Sequence, residues 1–261
     1  MEIKPIIKDG KVSAVVIFYN QEQFKKQVLD NINADELIIV ENKGNQSYQR
    51  TLGLQQAKHE YVLFCDGDIV VDTEFIMQAQ IILKNIPSVA IVGGLITTPM
   101  ETPAQEMMAI LRYRAFHKSH NIDGCYLVRR ELFNFLKFDN PPHELKSFYE
   151  GIKKLGLRQE KIKYKLLHLG EPATITELYQ RQCKYGVAEK HNPLLTFLFN
   201  KPSLGRYIFG MYKEYIYKMI REDGFKFNST YSELSYLFAG FMQIYYTSAC
   251  VKTRFEKNGQ N

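Results

Sequence analysis

Short, nearly continuous apolar runs recur through the first hundred residues, each followed by a stretch of helical period. This alternation constrains the fold more than any other feature of the chain. Val12-Ser-Ala-Val-Val-Ile-Phe18 is rich in β-branched residues and barely interrupted by polar ones, as a strand covered on both faces should be. Leu37–Val40, Tyr61–Phe64 and Val89–Gly94 read as further strands. Between them, Gln21–Ile32 places Phe24, Val28 and Ile32 at helical spacing, and Ser47–Ala57 reads as a second helix. Asp72–Asn85 reads as a third, with Asp72 as N-cap and Phe75, Ile76, Ala79, Ile82 and Leu83 on its inner face. Strand and helix in alternation predict a parallel α/β sheet, whose ligand crevice lies at the C-terminal ends of the strands.

Beyond Thr97 the pattern loosens. Ala104–Phe116 reads as helix, Tyr126–Arg130 as strand, Leu145–Leu155 as helix and Lys161–Leu169 as strand. After Glu171 the chain reads as helical, in the segments Ile175–Tyr185, Leu204–Arg221 and Ser232–Lys252. A boundary near Leu195–Ser203 divides it into an α/β domain over 1–195 and a helical region over 196–261. At 45% hydrophobic and 24% charged, the 261 residues exclude a disordered, collagen-like or disulfide-stapled chain. The first ten residues carry Glu2, Lys4, Lys8 and Asp9 and no apolar core, so no secretory signal is read. Cys65, Cys125, Cys183 and Cys250 are scattered with no C-x-x-C pair, which fits a reducing cytoplasm better than a disulfide framework or zinc knuckle.

Asp66-Gly67-Asp68 is the sharpest chemical feature, directly after an apolar strand and at the sheet edge where α/β folds bind ligands. Residues i and i+2 of an extended segment point to one side, so the spacing expects two carboxylates together. Two such groups repel unless a cation or proton lies between them. A hard divalent ion, Mg²⁺ or Mn²⁺, shared with substrate phosphates answers that need. A solvated turn before a capped helix is the alternative that the residues alone leave open.

Val12–Asn20, then Glu36-Leu-Ile-Ile-Val-Glu41, resembles the opening of family 2 glycosyltransferases of the GT-A fold. Ser47-Tyr-Gln-Arg-Thr-Leu-Gly53 and Ala57–Asp68 resemble that family's route into its D-x-D motif. The likeness continues through Gly124–Phe133 and ends near Gly156 and Leu166-Leu-His-Leu-Gly170, covering about Val12 to Gly170. It implies a Rossmann-like, mostly parallel sheet flanked by helices, here with a helical C-terminal extension. It also implies transfer of a sugar from a UDP- or GDP-sugar to an acceptor hydroxyl, with inversion and with Mn²⁺ or Mg²⁺.

The resemblance assigns roles residue by residue. Asp68 is a direct metal ligand, Asp66 reaches the metal or the ribose, and His168 completes the metal site. Glu41 falls where the family has an aspartate that reads the base, with Tyr19 and Asn20 lining the same pocket. Arg50 takes the place of a basic residue near the diphosphate. Asn42-Lys-Gly-Asn45 departs from the family's run, and Phe18 stands where a proline is usual. An inverting reaction needs a carboxylate beside the acceptor hydroxyl. In Pro141-Pro-His-Glu-Leu145, upstream of Gly156, Glu144 fits that role, with His143 in place of the family's second acid and Glu150 further along the helix. Asp123 and Gly124 are assigned to the acceptor side.

Charge is unevenly placed. Met1–Tyr149 holds 16 Lys/Arg against 18 Asp/Glu, a net of −2, and Glu150–Asn261 holds 18 against 10, a net of +8. Arg181, Lys184 and His191 in this basic part are further candidates for acceptor or diphosphate contact. Ile208, Met211, Tyr212, Tyr215, Ile216, Met219 and Ile220 recur at helical spacing. The stripe reads either as core or as the apolar face of an interfacial helix, with peripheral membrane contact through 204–252 at the cytoplasmic face. Leu234–Val251 carries no formal charge, at the lower limit for a bilayer span, and its polar residues favour a buried or membrane-lying helix. The partners expected are therefore a nucleotide diphosphosugar and a glycan or lipid-linked acceptor in cell-surface glycan assembly. Nucleic acid is not expected, because the basic residues form no dense cluster with a known module. A nucleotidyltransferase is a competing class. It and a Rossmann dehydrogenase both want a glycine-rich loop after the first strand, and Phe18-Tyr-Asn-Gln-Glu22 has no glycine. A non-catalytic protein of the same fold that binds sugar nucleotides or glycans is the other alternative.

Overall fold

The computed structural model describes residues 10–41, 45–118, 122, 124–138, 145–174, 176–178, 202–238 and 240. The chain clusters into two compact units, Met1–Thr97 with Phe116–Gly170, and Thr98–Ala115 with Glu171–Asn261. The second unit thus takes in a segment, Thr98–Ala115, that a single linear break at residue 195 leaves with the first.

In the first unit, β1 (Val12–Phe18), β2 (Glu36–Glu41), β3 (Tyr61–Asp66), β4 (Ile69–Val70), β5 (Val89–Thr97), β6 (Cys125–Arg129) and β7 (Arg158–His168) form one sheet. Its order is β2-β1-β3-β6-β5-β7-β4. The pairs β1–β2, β1–β3 and β5–β7 are parallel. β6 runs antiparallel to both β3 and β5, and β4 antiparallel to β7. The expected mostly parallel α/β sheet is therefore present, with two reversed strands. The reversal of β6 has a simple cause. The chain leaves β5 at the strand C-termini and re-enters β6 at that same edge, where Gly124 lies beside Asp66.

Every residue of β1 is buried, in keeping with its unbroken apolar run. Side chains alternate between two apolar layers. On one face Val12, Ala14, Leu63 and Leu127 pack with Phe75, Ile76, Ala79 and Leu83 of α3 (Thr73–Asn85). Asp72 caps that helix through the Phe75 amide at 3.0 Å, as its sequence predicts. On the other face Val15, Ile17, Val62, Phe64, Tyr126 and Val128 pack with Phe148 and Ile152 of α5 (Lys146–Lys154). Full burial of each large apolar side chain here is worth about 1.5–3 kcal/mol relative to exposure. α2 (Gln46–Gln56) lies so close on β1 that a Cβ at Gly53 would stand 2.1 Å from a Val15 methyl. α1 (Lys25–Asn31) covers Val16 and Phe18 with Val28.

The described residues of the second unit are mostly helical, with most of α4 (Pro103–Lys118), α6 (Pro202–Arg221) and a helix over 231–238. Glu106, fully buried, accepts the backbone N–H groups of Asn228 and Ser229. Arg112 pairs with the buried Glu171, and Tyr113 donates its hydroxyl to Asp223. The stripe of α6 divides. Ile208 and Met219 are buried and Tyr212, Tyr215 and Ile216 half-buried, whereas Met211 and Ile220 are exposed. The stripe is thus only partly core, with Ile208 and Met219 inside this unit. Among the described residues no helix is long and apolar enough to cross a membrane, and most of Leu234–Val251 lies outside them.

Candidate functional site

The strand register lines up a row of residues at the C-terminal edge of the sheet. Glu41 on β2 pairs with Phe18 on β1, and Ile17 on β1 pairs with Asp66 on β3. The Asp66 amide then donates to the Gly124 carbonyl at 2.9 Å, at the mouth of β6. Past Asp66 the chain turns at Gly67 and Asp68, and the Gly67 amide donates to the Ile17 carbonyl at 2.7 Å. A Cβ at Gly67 would fall 2.4 Å from the Phe18 ring and 2.8 Å from that carbonyl oxygen, so the turn needs glycine. The two residues of β4 then pair with the end of β7, Ile69 opposite His168, and the Leu169 amide donates to the Asp68 carbonyl at 2.7 Å. This short antiparallel tie carries His168 to Asp68.

The two aspartates have different partners. His168 Nε2 and Asp68 Oδ2 are 3.5 Å apart, and each residue is only 7% exposed. Asp66 Oδ1 instead accepts from Arg50 Nη2 at 3.0 Å, and Arg50, on α2, is 2% exposed. The expectation that i, i+2 alternation puts both carboxylates on one side does not apply, because residues 67 and 68 form a turn rather than extended strand. Arg50 stands against Asp66, where it compensates the carboxylate. Among the described residues no three His, Cys, Asp or Glu side chains are drawn together as a closed metal site. The Asp68–His168 pair offers one carboxylate oxygen and one imidazole nitrogen. That donor set fits an open site for a Mn²⁺- or Mg²⁺-like ion whose other positions are filled by phosphate and water.

Glycine again sets the tolerance. A Cβ on Gly170 would lie 2.2 Å from Asp68 Oδ2, so this residue leaves the space the carboxylate fills. Gly124 has φ +70°, and a Cβ there would meet Ile69 Cδ1 at 2.7 Å.

At the β2 end, Glu41 forms an ion pair with Lys25 of α1, whose ammonium lies 5.9 Å from the Phe18 ring centre. The hydrogen bond to Glu41 raises the Lys25 pKa. Tyr19 is exposed, and Asn20 adopts φ +56°, a left-handed conformation that asparagine tolerates better than most residues. Asp123, His143, Glu144, Arg181, Lys184 and His191 lie outside the described residues. Ile122, next to Asp123, is held from two sides, its amide donating to Gln159 Oε1 at 3.2 Å and its carbonyl accepting from the Tyr149 hydroxyl.

Several of these relations escape sequence reasoning. Gln159 and Tyr149 have no motif, and Gly170 enters only as the end of Leu166-Leu-His-Leu-Gly170, with no role assigned. Nor does any motif announce the meeting of Cys65 and Cys125, which are register partners in β3 and β6. The hydrogen bond with Cys125, followed by burial, pushes the Cys65 thiol well up. A separate cleft of about 530 Å³ opens at the other end of β3, lined by Lys58, His59, Glu60, Arg130 and Glu131 among others. Arg129 on its wall caps the end of α3, donating to the carbonyls of Leu83, Ile86 and Pro87.

No protein-family model and no curated protein sequence matches the chain. Among solved structures it is similar to glucosyl-3-phosphoglycerate synthase from Mycobacterium tuberculosis in complex with Mn²⁺, UDP and phosphoglyceric acid. That match has 17% identity, covers 66% of this chain and 75% of that one, and has a TM-score of 0.48. The same enzyme with Mg²⁺ and UDP matches at 19% identity, with 66% and 76% covered and a TM-score of 0.44. A mycobacterial protein matches at 18% identity, with 62% and 68% covered and a TM-score of 0.48.

Proposed function

We propose that this chain is a GT-A-type glycosyltransferase that moves a sugar from a nucleotide diphosphosugar, UDP- or GDP-linked, to an acceptor hydroxyl. The observation that carries the reading is the contact between Asp68 and His168, made at the sheet edge by the β4–β7 tie. A nearly buried carboxylate facing an imidazole supplies an oxygen and a nitrogen donor of the kind a divalent ion shared with a diphosphate uses. Mn²⁺ or Mg²⁺ held by Asp68 and His168 supplies charge stabilisation to the departing diphosphate.

The chain's own groups do the rest. Arg50 orients Asp66, whose carboxylate is assigned to the ribose or the metal. Glu41 accepts N–H groups of the base while Lys25 holds it in place, and Tyr19 and Asn20 border the same end of the sheet. Glu144 takes the proton from the acceptor hydroxyl as the new bond forms, which gives inversion, and Asp123 and Gly124 stand on the acceptor side. The acceptor is a glycan or lipid-linked saccharide, and the basic C-terminal part, with its net charge of +8, supplies contacts to it or to an anionic membrane face.

Titration calorimetry tests the donor site. UDP and GDP are titrated into the protein with Mn²⁺ and with EDTA, beside Asp68→Ala and His168→Ala. Binding that needs the metal and both side chains supports the proposal and identifies the nucleotide. Binding that survives EDTA and both substitutions refutes the metal site. Turnover of a UDP- or GDP-sugar that falls by about 100-fold or more in Glu144→Gln, with nucleotide binding intact, supports the assigned base.

A further inference from the structure

Two of four scattered cysteines meet at the base of the aspartate turn. Cys65 in β3 and Cys125 in β6 stand opposite each other in an antiparallel pair. The backbone bonds on either side fix the kind of position they hold. Asp66 donates to Gly124 at 2.9 Å at one end of the ladder, and Arg130 donates to Glu60 at 2.8 Å at the other. Hydrogen-bonded pairs alternate along such a ladder, and both bonds give the same phase, so Cys65–Cys125 is a non-hydrogen-bonded pair. Positions of that kind hold Cα atoms about 4.5 Å apart, with side chains leaning together on one face. A disulfide needs roughly 4.4–6.8 Å. Both cysteines are free thiols in one buried layer, beside Leu63 and Leu127. The bond can therefore close without moving either strand.

The Cys65 thiol also touches the turn itself. Its Sγ lies 3.4 Å from the Asp66 carbonyl oxygen and 3.3 Å from that of Ile69, so its one hydrogen is given to either end of the Asp66–Ile69 turn.

We infer that Cys65 and Cys125 are a reversible modification site for a peroxide oxidant, forming a cross-strand disulfide that loosens the turn bearing Asp66 and Asp68. One thiol, losing its proton, attacks a peroxide oxygen; the O–O bond breaks and leaves a sulfenic acid and water. The second thiol attacks the sulfenic sulfur, the S–S bond forms, the S–O bond breaks, and its hydrogen departs in a second water. Two electrons pass from the thiols to the peroxide. The disulfide carries no S–H, so the carbonyls of Asp66 and Ile69 lose the hydrogen that Cys65 gives them. Because both thiols are fully buried, oxidant reaches them only when this end of the sheet opens, and the reaction is slow in the native protein. The inference holds whatever the aspartates bind.

The test uses the full chain carrying Cys183→Ser and Cys250→Ser, treated with hydrogen peroxide. Thiols are counted in guanidinium, mass and disulfide-linked peptides are mapped, and amide exchange is followed over residues 66–70. The expected result is loss of both thiols, a mass lower by about 2 Da, and a Cys65–Cys125 peptide, all reversed by dithiothreitol. Exchange at Asp66 and Gly67 rises on the order of tenfold, and adding Cys65→Ser abolishes the peroxide effect. Oxygen added to the cysteines separately, or thiols that persist in the folded chain while the urea-unfolded chain is oxidised, overturns the inference. A disulfide that leaves exchange unchanged overturns its action on the turn.

Discussion

Gly170→Ala separates the fold from the site. The added Cβ would stand 2.2 Å from Asp68 Oδ2, 3.1 Å from Cγ and 3.3 Å from Cβ. Ordinary contact lies about 1 Å further out for the nearest atom. The Asp68 backbone is fixed by the Leu169 amide at 2.7 Å, so the carboxylate must swing aside about its own torsions. Oδ2 is the tip of a short side chain, and moving it displaces no strand; stability falls by about 1 kcal/mol, the low end of the overpacking range. The swing takes Oδ2 away from His168 Nε2, now 3.5 Å distant, and breaks the pair that would hold the ion. Nucleotide affinity in Mn²⁺ therefore drops about 10- to 100-fold, as for displaced metal-site groups elsewhere. Urea unfolding and titration calorimetry on one preparation read the two quantities. Unchanged affinity in a folded variant refutes Oδ2 as a ligand. A stability loss above about 3 kcal/mol refutes the argument that the side chain can yield.

Other perturbations probe separate supports. Arg50→Ala leaves the Asp66 carboxylate without its guanidinium and destabilises by about 3 kcal/mol in urea; in a double-mutant cycle, adding Asp66→Asn recovers part of that loss. Ser13→Ala removes the buried hydroxyl that accepts the Lys58 and His59 amides at 3.2 and 3.1 Å and donates to Glu36 at 2.7 Å, costing about 1–3 kcal/mol. The Ser13 hydroxyl is also the main reason the Glu36 pKa is lowered. A lowered carboxylate stabilises fully above its unfolded value and loses that contribution as pH falls through the folded one. Thermal melts from pH 6 to pH 3 should accordingly show a shallower acid loss in Ser13→Ala than in the parent. Gly210→Ala, on the exposed face of α6 with nothing within 4 Å of the new Cβ, stabilises by about 0.5–1 kcal/mol in thermal melts.

Where a signal is local, the sequence carries it. β1 coincides with its apolar run because burial on both faces favours apolar residues and admits Ser13 only with its hydroxyl hydrogen-bonded, and the cap at Asp72 is a contact three residues long. Asp66 and Asp68 are found by motif, yet their divergence toward Arg50 and His168 depends on the turn at Gly67, which period-2 reasoning ignores. The stripe on α6 shows the same limit from another direction. Helical spacing says that Ile208 and Met219 share a face with Met211 and Ile220, but not how much of that face is covered. Pairings between distant strands leave the least trace. No pattern in the chain brings Cys65 to Cys125, Gln159 to Ile122 or Gly170 to Asp68, because each rests on register set by the whole sheet.

The two-residue strand β4 has a consequence for how the site comes into being. Asp68 and His168 are separated by 100 positions in the chain, and the short pairing of β4 with the end of β7 brings them together. Closing so long a loop is entropically costly and comes after local helices and neighbouring strands are in place. A nascent chain that has emitted β1 to β6 carries the aspartate turn but no histidine beside it. On the proposed reading, competence to hold an ion and a diphosphate arrives in one step, with the docking of β7. The site doubles as an internal check that the whole sheet is complete.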